Sequence, residues 1–330
     1  MAGKWIEPGE IAPLPGQSTP LVQELQIDII GIKKIAYTFV LKPGKFLYLQ
    51  ASGFVMKRSA LTVLLIMLTG LVIQAFAGYF PAEAFAFPVN AAVLFAALAG
   101  LWVLWREKPG GAVCRWLASG NTSIALIAAF LLCCLILGLT GQDADAASFP
   151  GFGNVRRTWW FMLISIALMA NLFVVILSRR KKGIRFILNH IGVLVALVGC
   201  FFGAPDHTVS RAIVSGEAVH EAVGENGEIV PLPAAMKLDD FNVELDQRGN
   251  VRNYRALIDV DGKKVELRVN HPYRISISED VYLTSYDRDN PEPRYCIVEV
   301  VRQPWKYLIW AGIVMMMAGS VLMFARGKGD

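Results

Sequence analysis

Six separate stretches of this 330-residue chain are apolar for long enough to cross a hydrocarbon core, which takes about 17 to 25 residues of helix. They cover residues 59–79, 88–105, 123–138, 158–178, 186–204 and 305–325. Their apolar residues are gathered into continuous runs rather than scattered at the i, i+3, i+4 spacing of an amphipathic helix, so they do not read as the surface helices of a soluble globule. The chain is 55% hydrophobic and only 18% charged, too little charge to clothe a soluble surface of this size. The fold class expected is a polytopic α-helical membrane protein of about six transmembrane helices.

Lys and Arg at the ends of the runs set the orientation. Lys57 and Arg58, then Arg106, Lys108 and Arg115, then Arg179, Arg180, Lys181, Lys182 and Arg185, then Arg326 and Lys328 all fall on one side of a six-span layout. The opposite loops are residues 80–87, with no basic residue, and 141–157, where Asp143 and Asp145 are offset by the dissenting pair Arg156 and Arg157. This predicts an inner (cytoplasmic) membrane protein with a cytoplasmic segment 1–58, five helices within 59–204, an extracytoplasmic domain 205–304, a final helix 305–325 and a cytoplasmic tail 326–330. The first run lies too deep for a cleavable signal peptide, so the first 58 residues are expected to be retained. The net charge of +5 follows from dispersed juxtamembrane anchors, which argues against nucleic-acid binding.

From Ile213 the extracytoplasmic segment reads as strands separated by turn signals at Asn226-Gly227, Arg248-Gly249-Asn250 and Asp261-Gly262, which predicts an all-β domain inserted before the last helix. The clearest hairpin joins residues 255–260 to 264–269 through Asp261-Gly262-Lys263. Of the cysteines Cys114, Cys133, Cys134, Cys200 and Cys296, only the last lies in that domain, and no CxxC occurs. A disulfide framework, a thiol oxidoreductase and a structural zinc site are thereby disfavoured. Adjacent Cys133 and Cys134 read as packing residues. The N-terminal segment has short apolar runs at 25–32, 35–41 and 46–50, consistent with a small element, and contains no phosphate-binding GxxxxGK[ST] loop.

Four histidines occur. His190 lies within the fifth run, roughly 7 Å inside its cytoplasmic edge, where an ionisable group is costly unless it is paired, faces a cavity or ligates something. Two readings stand on position alone: an axial ligand to haem iron, or an interfacial side chain that snorkels or hydrogen-bonds a neighbouring helix. His207, just past the outer end of that run, and His220 read as solvated. His271 opens a turn before Pro272, a structural position that leaves a ligand role open. Gly199 and Gly203 form a GxxxG, a spacing that permits close helix contact and is common by chance. Trp102, Trp105, Trp159, Trp160, Trp305 and Tyr307 sit at run ends, where aromatic belts form.

The order of short motifs is more specific than any one of them. Asn189-His190-Ile191-Gly192-Val193-Leu194 opens a run ending in Phe201-Phe202-Gly203, followed by Ser215-Gly216-Glu217 and Leu238-Asp239-Asp240-Phe241-Asn242-Val243-Glu244. Asn253-Tyr254-Arg255-Ala256, Val269-Asn270-His271-Pro272-Tyr273, Val281-Tyr282-Leu283-Thr284-Ser285-Tyr286 and Arg302-Gln303-Pro304-Trp305 come next. Over residues 158–325 this series resembles the ResB-like family of cytochrome c biogenesis proteins (System II).

The resemblance implies a partner, a ResC/CcsA-like membrane protein, with which haem b is moved across the membrane and attached to the CxxCH motif of apocytochrome c. It implies that His190 is an axial ligand to haem iron, opposite a histidine of the partner; His271 and His207 are secondary candidates, and no catalytic residue is assigned. The chain lacks the tryptophan-rich WWD segment and flanking histidines from which the partner presents haem, and Trp159-Trp160 does not supply it. The implied role is therefore one subunit of a synthase rather than a complete enzyme. The rival readings are a non-catalytic scaffold bracing the ResC-like partner and a small-solute transporter; the latter predicts internal repeats, broken spans or several buried charges, which the sequence does not show.

Overall fold

A computed structural model describes residues 45–142, 149–290 and 292–325, with side chains from residue 58 onward. The apolar runs at 25–32 and 35–41, the Asp143 and Asp145 pair, and Arg326 and Lys328 lie outside the described residues. The chain divides into two units, 1–58 and 59–330. In the first, the described part is helical backbone from Lys45.

Seven α-helices are described: α1 (Lys45–Ala77), α2 (Val89–Glu107), α3 (Ala112–Leu117), α4 (Gly120–Leu139), α5 (Trp159–Ser178), α6 (Ile184–Gly203) and α7 (Lys306–Phe324). All but the short α3 are long and apolar enough to cross a membrane. The predicted runs fall on them within a few residues, with one correction. Residues 46–50, read as part of a separate element, are the opening turns of α1. Gln50, Ser52, Lys57 and Arg58 interrupt the apolar run without interrupting the helix, because none of them is a strong helix breaker.

The connections sort onto two ends. At one, the Arg157 side chain donates to the Phe80 carbonyl (3.4 Å) and its guanidinium pairs with Glu83 (3.2 Å), which places the α1–α2 and α4–α5 connections together. The same contact offsets half of the dissenting basic pair. At the other end, Asn171 donates to the Leu117 carbonyl (2.5 Å) and Arg179 to the Ala118 carbonyl (3.3 Å), joining the α2–α4 connection to the end of α5.

Between α6 and α7 in the chain stands an eight-stranded antiparallel sheet: β1 (Thr208–Ser215), β2 (Val219–Gly224), β3 (Ile229–Leu245), β4 (Val251–Val260), β5 (Lys263–Arg268), β6 (Tyr273–Arg274), β7 (Glu279–Tyr286) and β8 (Tyr295–Arg302). The spatial order is β5-β4-β3-β2-β1-β8-β7-β6. Strand structure thus begins before Ile213, in the polar stretch Thr208 to Arg211, which alternation alone did not mark. The predicted hairpin is tighter than expected: Val260 pairs with Lys263, leaving a two-residue loop. Asp261 (φ 50°) and Gly262 (φ 84°) both take the positive φ that such a loop demands.

First and last strands are neighbours. β1 and β8 pair without a bulge from Thr208 opposite Arg302 to Ser215 opposite Tyr295, so the chain enters and leaves the sheet side by side. Inward residues of seven strands form one core, in which Val214, Met236, Ile258, Leu267, Val281, Cys296 and Val298 are fully buried. Burial pushes the Cys296 thiol up to about 12. The sheet curls: Tyr254 of β4 donates its hydroxyl to the Thr284 carbonyl of β7 (3.1 Å), although those strands are not adjacent in the sheet order.

Candidate functional site

His190 sits about 9 Å along α6 from its first residue, at the end carrying the Arg179 to Lys182 run. Its Nδ1 lies 2.8 Å from the Phe186 carbonyl oxygen, one turn back. A carbonyl only accepts, so Nδ1 carries the proton, and in the neutral ring Nε2 keeps its lone pair. The imidazole also lies against the Phe186 ring, with centroids 3.8 Å apart and planes 30° from parallel. These contacts orient the ring as a second-sphere partner orients a metal-bound histidine.

One imidazole suits an axial position on a haem iron, which the porphyrin already ligates four times; a free divalent ion needs three or four protein donors. Among the described residues no three His, Cys, Asp or Glu side chains are grouped to hold such an ion.

A neighbouring face of α6 is committed to α7. Asn189 accepts a hydrogen bond from the Ser320 hydroxyl of α7 (3.3 Å). Gly192, Gly199 and Gly203 form a seam with α7: a Cβ on Gly192 would lie 2.7 Å from the Gly312 carbonyl oxygen, one on Gly199 2.7 Å from the Ile309 side chain, and one on Gly203 2.6 Å from Trp305. On His190's own face, further along the helix, Leu194, Leu197 and Phe201, at i+4, i+7 and i+11, pack with Leu94 of α2 and Met169 of α5.

At the far end of α6, Asp206 ties four segments together. Its carboxylate accepts from the Phe87 amide (2.7 Å), from Asn90 Nδ2 of α2 (2.7 Å) and from Trp305 Nε1 (2.6 Å), while Asn90 also donates to the Phe202 carbonyl (2.7 Å). Sequence reasoning missed this network because its members are about 100 residues apart and each is unremarkable where it stands. Trp305, read as a belt residue, belongs to the network. Trp160, read the same way, is buried, with Nε1 donating to the Pro150 carbonyl (3.0 Å).

The three candidate histidines are not brought together. His207 is exposed at the end of a short turn, 17 residues or about 26 Å of helical rise from His190. His271 is exposed in the turn bridging Arg268, to whose carbonyl its amide donates (3.1 Å). Three of the sequence motifs do converge. Phe241, Tyr254 and Tyr286 meet with centroids 4.9 to 6.2 Å apart, where β4 closes on β7.

No curated protein matches the chain. A solved structure of a "Cytochrome c Heme Lyase CcmF" aligns at 14% identity with a TM-score of 0.35 over 72% of this chain and 45% of that one, so this chain spans less than half of that protein's length. The family model described as the ResB-like family matches residues 182–295, a segment that opens just before α6, includes His190 and ends at the first residue of β8. Over that segment, the resemblance carried by the motif series is borne out as one to the ResB-like family.

Proposed function

We propose that the chain is a haem-handling subunit in cytochrome c biogenesis, working with a ResC/CcsA-like membrane partner to move haem b across the membrane and assist its attachment to apocytochrome c. The observation that carries the proposal is His190, within the ResB-like segment, with Nδ1 committed to Phe186 and Nε2 available in the neutral ring. In this reading Nε2 gives one axial bond to the iron and the partner gives the other. Phe186 holds the ring in the tautomer that can do so.

The layout follows from charge and position. The end of the bundle bearing Arg106, Lys108, Arg115 and the Arg179 to Lys182 run is cytoplasmic, and the sheet at the opposite end is extracytoplasmic, with both termini inside. The domain 205–304 would hold or orient apocytochrome, whose two thiols must meet the haem vinyl groups in one orientation. Attachment chemistry itself belongs to the partner's outer site.

The test is the haem absorption spectrum of the full chain purified in detergent with its partner, comparing wild type, His190→Ala and His190→Gly with added imidazole. Loss of haem in both variants, with recovery in His190→Gly when imidazole is supplied, is expected. Unchanged haem content in both variants would overturn the ligand assignment and favour a role as a scaffold bracing the partner.

A further inference from the structure

A cavity of about 380 Å³ lies where the sheet meets the start of α7, lined by Arg274, Asp280, Lys306, Tyr307 and Trp310. Because α7 is one of the helices that can cross a membrane, its first turn stands at the level of lipid headgroups. The charges of the cavity do not cancel. Asp280 faces both Lys306 (2.5 Å) and Arg274 (3.6 Å), leaving one positive charge in excess. Arg274 and Lys306 also lie over the Tyr307 ring, at 5.8 and 5.6 Å from its centroid.

The cavity continues into an apolar track. Tyr307, Trp310, Val314, Met317 and Val321, at i, i+3, i+7, i+10 and i+14, are all exposed along one face of α7, Trp310 at 66%. This face is distinct from the one formed by Ile309, Gly312, Met316 and Gly319 against α6.

We propose that this cavity binds the phosphodiester of an anionic phospholipid in the outer leaflet, with an acyl chain laid along the exposed face of α7. A phosphodiester supplies one negative charge to match the one in excess, and in an anionic lipid no headgroup cation cancels it, as choline does in phosphatidylcholine; the aromatic rings serve as interfacial anchors. The proposal does not rest on haem binding.

Native mass spectrometry of the full chain in a neutral detergent tests it, with dioleoyl phosphatidylglycerol as probe and dioleoyl phosphatidylcholine as comparator. Wild type should retain one phosphatidylglycerol in preference to phosphatidylcholine. Arg274→Ala leaves the Lys306–Asp280 pair in place and should weaken retention about fivefold, the contribution of one basic side chain at an anionic surface, while Arg274→Lys should recover most of it. Circular dichroism of both variants verifies the fold. Equal retention of the two lipids, or no loss in Arg274→Ala, would overturn the proposal. So would displacement of the lipid by soluble glycerol 3-phosphate, which would mark a site for free phosphates, or by a co-expressed partner, which would mark a protein interface.

Discussion

The sheet and the last helix bury opposite kinds of residue. In the sheet most of the fully buried positions carry bulk, Ile258, Leu267, Met236 and Val298 among them. On α7 the buried positions are Gly312 and Gly319, whereas Trp310, Met317, Val321 and Phe324 stand exposed. Two solvents account for the contrast. Water expels large apolar groups into the sheet core, whereas lipid is as apolar as leucine and gives them no reason to leave. What holds α7 to α6 is therefore close approach of backbone, which only small residues permit.

That contrast can be broken most severely at the seam. Gly312→Leu would put a side chain where even a Cβ lies 2.5 Å from the Ala196 amide nitrogen and 2.7 Å from the Gly192 carbonyl oxygen. Destabilisation above about 4 kcal/mol is expected, read as loss of monodisperse protein after heating in detergent, while Val314→Leu on the exposed face should stay within about 0.5 kcal/mol. Equal behaviour of the two variants would end the argument for backbone packing.

In the sheet the rule reverses, and removing bulk is what costs. Ile258→Ala should destabilise the domain by about 2 to 5 kcal/mol in urea unfolding followed by near-ultraviolet circular dichroism. A smaller and subtler effect concerns Cys296. The folded thiol keeps its proton up to about 12, whereas the unfolded thiol releases it near the ordinary 9.0, so unfolding releases a proton between those values. Stability contributed by the protonated, buried thiol is therefore lost as pH rises through that window. Urea midpoints measured between about pH 8.5 and 10 should fall more steeply for wild type than for Cys296→Ala. Parallel slopes would mean that the buried thiol is not what resists ionisation.

The two regions were also unequally legible in the sequence. Long apolar runs gave the six helices to within a few residues at most ends, because hydropathy is a property of each residue wherever it sits. The start of α1 at Lys45 and the six-residue α3 escaped, since neither changes the local hydropathy enough to be noticed. Hairpin chemistry at Asp261-Gly262 was visible because φ preference is local. The seam was seen only in part: Gly199 and Gly203 formed a recognisable spacing, but their use depends on Ile309 and Trp305, on a helix 100 residues away. At the candidate site, His190 stood out as an ionisable group inside an apolar run. Its bond to Phe186 depends on a side-chain rotamer, and the Asp206 network depends on how four distant segments come together; neither has a local signature.

The adjacency of β1 and β8 makes the sheet a lever rather than a tethered bead. Three or four residues join α6 to β1 and β8 to α7, and the paired strands continue the paired helices almost without interruption. Sliding α6 along α7 would shear β1 against β8 and break the unbulged register from Thr208 opposite Arg302 to Ser215 opposite Tyr295. Motion at one end is thus geared to motion at the other. A rigid tilt of the helix pair would carry the sheet with it as one arm, and a small displacement inside the bilayer would reach the tips of the strands magnified.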